Sequence, residues 1–227
     1  MTMLARQSQA LTFPRLADKP VWNFRADGTV MDLAAPTVNE ICFVDMARAL
    51  AGARRFDGRG MPIAQHCVMG AQAILNEGGT PLEAALFLLH DAHEWLLGDW
   101  TEPAQTLLGS LLPSLAVKSA IAQMKGGWDA AIYAAANLPL PEFWTTRQKK
   151  LVKTMDQRMC RVEAIAHFGP EAANRFQPSD PPKTTGAICI WGTARAEEKF
   201  AEYCHSFIGP DIIARQAALA ARTRRRA

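Results

Sequence analysis

The sequence predicts a mainly α protein with a small β element near its N-terminus. Three observations carry that expectation. From Thr37 onward, apolar residues recur at helical spacing, punctuated by capping signals and by Gly or Pro where helices end. Before that point, residues 21–33 alternate mildly around Ala26-Asp27-Gly28, a turn signal between two short strands. The 227 residues are 49% hydrophobic and 21% charged, proportions of a globular chain with a sizeable core.

The elements follow in order. Thr37-Val38-Asn39-Glu40 reads as a capping box, with an amphipathic helix running to residue 50. Residues 54–60 are polar and Gly-containing, a loop. Pro62 suits a first helical turn, and Gly78-Gly79 stops the helix that follows. Thr80-Pro81-Leu82-Glu83 is a second capping box, opening a helix to about residue 97, before Gly98. Residues 103–125 and 128–137 read as two further helices, and 141–167 as one long one. Residues 186–192 are a short strand or an extended loop; 193–207 and 210–222 are helical. The expected organisation is an N-terminal extension (1–36), a core (37–168) and a C-terminal helical extension with a basic tail (169–227). A boundary near 178–182 and a wrapped extension both remain open.

Several classes are excluded. The apolar run 84–89 is cut by His90 and Asp91, and no stretch approaches the roughly 20 residues of a membrane span. Residues 1–13 show no export signal, so a cytoplasmic protein without a membrane partner is expected. Five cysteines without a C-x-x-C pair point to reduced thiols and to no structural zinc. Net charge is +3, and −1 without Arg222, Arg224, Arg225 and Arg226. A near-neutral body is unsuited to tracking a phosphate backbone, so no nucleic-acid partner is expected and the tail reads as a solvated end.

The chemistry concentrates at one place. The helix from Pro81 is apolar nearly all round, as a buried helix is, yet it runs into His90, Asp91, His93 and Glu94. On a continuous helix these four share an arc of about 160°. His66 lies on the preceding helix beside Ile63, Cys67, Gly70 and Ile74, and Asp156 on the apolar side of the long later helix between Met155 and Met159. Two imidazoles and two carboxylates suit Mn²⁺, Fe²⁺, Co²⁺, Ni²⁺ or Zn²⁺ rather than Ca²⁺. Simpler readings stand beside this one. His66 alone can be a core histidine, Glu94 a partner that orients a ligand, Asp99 a helix cap and Arg54-Arg55 a solvated helix end. His93 can pair with Glu94 or Asp99 or face a substrate. His167 and His205 have no supporting company.

The order His, His-Asp, distant Asp resembles the signature of the HD-domain metal-dependent phosphohydrolases. The resemblance is strongest to the 5′-deoxynucleotidase branch and its phage-type relatives. Their pattern H-D-A-x-E-x-x-x-G-D-x-x-x-P is matched from His90 to Pro103, and Arg55-Phe56-Asp57-Gly58 and Ile63-Ala64-Gln65-His66 fit upstream. The match covers roughly residues 38–163. It implies an HD-domain helical bundle with a divalent ion (Mn, Co, Ni, Fe, Zn or Mg) held by His66, His90, Asp91 and Asp156. The implied activity is hydrolysis of nucleotide phosphate esters, chiefly 5′-(deoxy)nucleoside monophosphates to nucleoside and phosphate. Glu94 takes the catalytic carboxylate position and Asp99 a second acidic one. Arg55, Phe56, Arg59 and His93 are the expected substrate contacts, and relatives are often homodimers. Phe56 replaces a Trp, Gln65 replaces a Glu, and the loop before His66 is short, which bears on specificity. The alternatives are a deoxynucleoside triphosphate triphosphohydrolase, with Lys118, Lys149, Lys150 and Lys153 as added cations, and an inert nucleotide-binding regulatory module.

Overall fold

β1 (Trp22–Phe24) and β2 (Val30–Asp32) pair antiparallel, with Trp22 opposite Asp32 and Phe24 opposite Val30. The hairpin stands where the turn signal placed it. The structure is a computed structural model describing residues 13–112 and 114–225, so the expected readings of residues 1–12 and of Arg226 fall outside the described residues.

Nine α-helices are described after the hairpin, and they confirm a mainly α fold. α1 (Phe43–Gly52) begins later than its signal implied. Thr37 caps a 3-10 turn at Val38–Glu40 through the Asn39 N–H. Glu40 does not close a capping box. Its carboxylate takes both Nε and Nη2 of Arg25, at 2.8 and 2.7 Å. A bidentate charged pair outcompetes a single backbone N–H.

α2 (Ile63–Asn76) is the central helix, and 11 of its 14 residues are buried. α3 (Pro81–Leu88) carries the full Thr80/Glu83 capping box and packs against it. Gly70 makes that packing close: a Cβ there would lie 2.1 Å from Phe87 Cε1. The continuous helix expected over 80–97 is two pieces. α3 ends at Leu88, a chain of tight turns follows, and α4 covers Glu94–Leu97. No Gly or Pro marks the break. Side chains add to the carbonyls near its end: the Tyr133 hydroxyl donates to Leu86 O at 2.6 Å, and His90 Nδ1 to Phe87 O at 2.7 Å beside the backbone N–H of His90.

The next two helices also divide differently from expectation. α5 (Glu102–Leu111) stops short of Pro113, with Leu112 already extended at φ −126°, ψ 164°. Proline excludes the helical conformation from the residue before it. α6 (Ser114–Ala135) then runs unbroken through Gly126-Gly127. Gly127 is there for contact: a Cβ would meet Leu16 Cδ2 at 2.8 Å. Trp128 on the same helix is fully buried and donates to Leu33 O, tying α6 to the hairpin.

α7 (Thr146–Phe168) starts five residues after Pro141, because Thr145 and Gln148 form their own capping box. Residues 186–192 are extended without strand pairing. Gln65 on α2 holds them, accepting from Trp191 N at 2.8 Å and donating to Cys189 O at 2.6 Å. An amide does both; a carboxylate only accepts. α8 (Thr193–Phe207) packs on α1, α2 and α3 and buries Phe200 and Cys204 in the same core. α9 (Pro210–Arg224) ends with Arg224 paired to Asp45 of α1, so that arginine is no solvated tail. All five cysteines are free, as expected. Among the described residues, no helix is long and apolar enough to cross a membrane.

Candidate metal centre

Three elements bring His66, His90, Asp91 and Asp156 together. α2 carries His66, the turn after α3 carries His90 and Asp91, and α7 carries Asp156. One donor atom from each lies within 4.8 Å of the others. His66 Nε2 is 3.4 Å from His90 Nε2 and 3.3 Å from Asp156 Oδ1. His90 Nε2 is 3.2 Å from Asp91 Oδ2.

The outer nitrogen of each imidazole is already engaged. His66 Nδ1 meets Glu163 Oε1 at 2.6 Å, and His90 Nδ1 meets Phe87 O at 2.7 Å. Both partners are acceptors, so both Nδ1 atoms carry the proton. Each neutral imidazole then turns an Nε2 lone pair on its neighbour and on two carboxylates. Four acceptors facing one another need protons or a cation between them. Without a cation, burial opposes protonation of His90, but Asp91 and Asp156 overcome it and raise its pKa well above the ordinary value. The same balance raises His66, where Glu163 and Asp156 outweigh burial and Arg55. Asp91 and Asp156 move the other way: burial opposes their ionisation, yet the imidazoles hold both below the usual carboxylate range. An oriented imidazole pair with two carboxylates is a donor set that fits a divalent transition ion.

Arg55 threads this cluster. It contacts Asp91 Oδ2 at 3.0 Å, Glu163 Oε2 at 3.0 Å and the Cys160 sulfur at 2.8 Å. With both imidazoles neutral, three carboxylates (Asp91, Asp156, Glu163) against one guanidinium leave the cluster negative. The loop that presents Arg55 is strained. Phe56 and Asp57 both have φ of 54°, at a cost of about 1–3 kcal/mol each. Gly60 allows it, since a Cβ there would come within 2.6 Å of Phe56 Cδ2.

The cluster opens into a cavity of about 630 Å³. Arg55, Phe56, Arg59, Asp91, Glu94, Asp99 and Asp156 are among the residues that line it. Burial pushes the Glu94 carboxyl up, with help from Asp91 and Asp99, to about 9. Asp99 is raised by burial too. Trp100 forms part of the wall.

His93 does not line the cavity. It is buried, with Nδ1 on Asp129 Oδ1 of α6 at 2.8 Å. Nor do Lys118, Lys149, Lys150 or Lys153 line it; Lys150 borders a separate groove beside Gly78 and Arg158.

Four contributors escaped the sequence reading. Glu163 was visible only as an acid on the face of Asp156, and Cys160 as a residue one turn from it. Phe168 and Phe176 close the far wall from segments outside the matched motif. Phe168 meets Phe56 edge-on at 5.4 Å.

No protein-family model matches the chain. It is 30% identical over 175 residues to the uncharacterized protein RCAP_rcc00048 of Rhodobacter capsulatus, covering 72% of this chain and 83% of that one. The chain belongs to that protein's family. The helical architecture of this chain and its His/Asp cluster are compatible with an HD-type fold.

Proposed function

We propose that the protein is an HD-type, divalent-metal-dependent phosphohydrolase acting on nucleotide phosphate esters, with 5′-(deoxy)nucleoside monophosphates as the leading substrates. The observation that carries this reading is the convergence of His66, His90, Asp91 and Asp156, whose two carboxylates line one cavity together with Arg55 and Glu94. A divalent ion there supplies Lewis-acid polarisation of a phosphoryl oxygen and activation of water at neutral pH.

The chain's own groups supply the rest. Arg55 offers a planar fork to phosphate oxygens, and phosphoryl transfer depends mainly on such positioning and charge stabilisation. Glu94, more basic than a surface carboxylate, takes the proton of the attacking water once nearby positive charge draws its pKa toward neutral. The water oxygen forms the new P–O bond, the ester P–O bond breaks, and a proton passes to the leaving oxygen. Asp99, whose raised carboxyl lines the same wall, is placed to return it. The rings of Phe56, Phe168 and Trp100 give a planar base an apolar wall.

Phosphorus NMR tests the reading, with metal-loaded protein, a panel of nucleoside mono- and triphosphates, and Asp91→Ala as control. Inorganic phosphate from deoxymonophosphates, absent with Asp91→Ala, is the expected result. Tripolyphosphate would move the protein to triphosphate substrates. Nucleotide binding without turnover for any tested metal would make it an inert regulatory module.

A further inference from the structure

We propose that Asp91, His93 and Glu94 form a second divalent-cation site, sharing Asp91 with the first. This rests on the metal reading of His66, His90, Asp91 and Asp156 and extends it. The turns between α3 and α4 bring the three residues together, with one donor atom from each within 4.8 Å of the others.

Two further observations point to a ligand. His93 Nδ1 is held by the Asp129 carboxylate, which fixes the proton on Nδ1 and leaves a lone pair on Nε2. Metal-ligating histidines are oriented in this way, by a carboxylate behind the ring. That Nε2 is buried and has no hydrogen-bond partner, and neither has Glu94 Oε2, which is also buried. The residues are 4% and 8% exposed. Buried polar atoms in folded proteins are almost always paired. No hydrogen bond joins these two atoms to each other or to any other group. Arg55 and Lys125 act on the Glu94 carboxyl, but neither hydrogen-bonds its Oε2. A cation meets both atoms at once, and binding through Oε2 leaves the other Glu94 oxygen to take the water proton. One imidazole and two carboxylates again favour Mn²⁺, Fe²⁺, Co²⁺ or Zn²⁺. Asp91 directs Oδ2 at the first cluster, and a carboxylate has a second oxygen to offer.

Metal-stripped full-length protein is titrated with Mn²⁺ by calorimetry, and bound metal is counted by mass spectrometry after desalting. Two Mn²⁺ per chain are expected for the wild type and one for His93→Gln. Low-temperature electron paramagnetic resonance of the loaded wild type should show exchange coupling through the shared carboxylate, replaced in His93→Gln by the hyperfine pattern of isolated Mn²⁺. A wild-type count of one overturns the second site and leaves the first standing. A count of zero overturns both. Two ions retained in His93→Gln would place the second elsewhere and overturn this assignment.

Discussion

Glu163 accepts the Nδ1 proton of His66 and pairs with Nε of Arg55, so it orients a ligand and an arginine at once. Losing such a partner typically lowers metal affinity about 10–100-fold. Glu163→Gln is expected to weaken Mn²⁺ binding by that order in calorimetry, and unchanged affinity would show that His66 needs no orienting charge. The convergence of His66, His90, Asp91 and Asp156 was legible in the sequence, because acids and histidines on apolar helix faces stand out against their neighbours. Their supports were not. Glu163 shares the phase of Asp156, but nothing local says that it faces His66 across 97 positions. His93 was read as a substrate contact because its partner, Asp129, lies on a helix whose packing no motif reveals.

At the level of elements, Gly70 connects helix packing to the centre. A methyl group at this position would overlap the ring of Phe87, which stacks on His90 at 4.3 Å. Gly70→Ala should therefore displace His90 as well as strain the α2–α3 contact. The expected outcome is a loss of about 1–3 kcal/mol in denaturant unfolding, together with weaker Mn²⁺ binding. A stable variant with full affinity would contradict this coupling. The helix starts at Thr80 and Pro210 were readable from a cap and prolines. The break after Leu88 was not, because no Gly or Pro marks it; the chain passes into tight turns to which Tyr133, 47 positions from Leu86, adds a hydrogen bond. Gly126-Gly127 misled in the opposite sense: it looks like a stop and is a close approach.

Across the whole molecule, long-range clips hold the C-terminal quarter to the rest. Arg158 of α7 pairs bidentately with Glu77 after α2, and Glu77 also accepts from Lys183 N. The Arg158 hydrogen bonds hold the Glu77 carboxyl below its ordinary value of 4.5, against burial. A carboxyl depressed on folding stabilises above its unfolded pKa, and that contribution fades as pH falls through the folded one. The urea midpoint should fall as pH drops below 4.5, and Glu77→Gln should remove part of that fall. Identical acid profiles would remove Glu77 from the account. Mainly α architecture and the N-terminal hairpin were legible from periodicity and turn chemistry. The insertion of Phe200 and Cys204 into the α2 core was not, since amphipathic spacing shows that α8 has an apolar face but not which helices cover it.

The central claim is that His66, His90, Asp91 and Asp156 hold a divalent ion beside the cavity. Anomalous diffraction from crystals of the full-length protein loaded with Mn²⁺ or Zn²⁺, recorded on either side of the metal edge, tests it most directly. The account predicts a strong anomalous peak enclosed by those four side chains, with Glu163 still behind His66. Metal-loaded crystals with no peak in that cluster would contradict it.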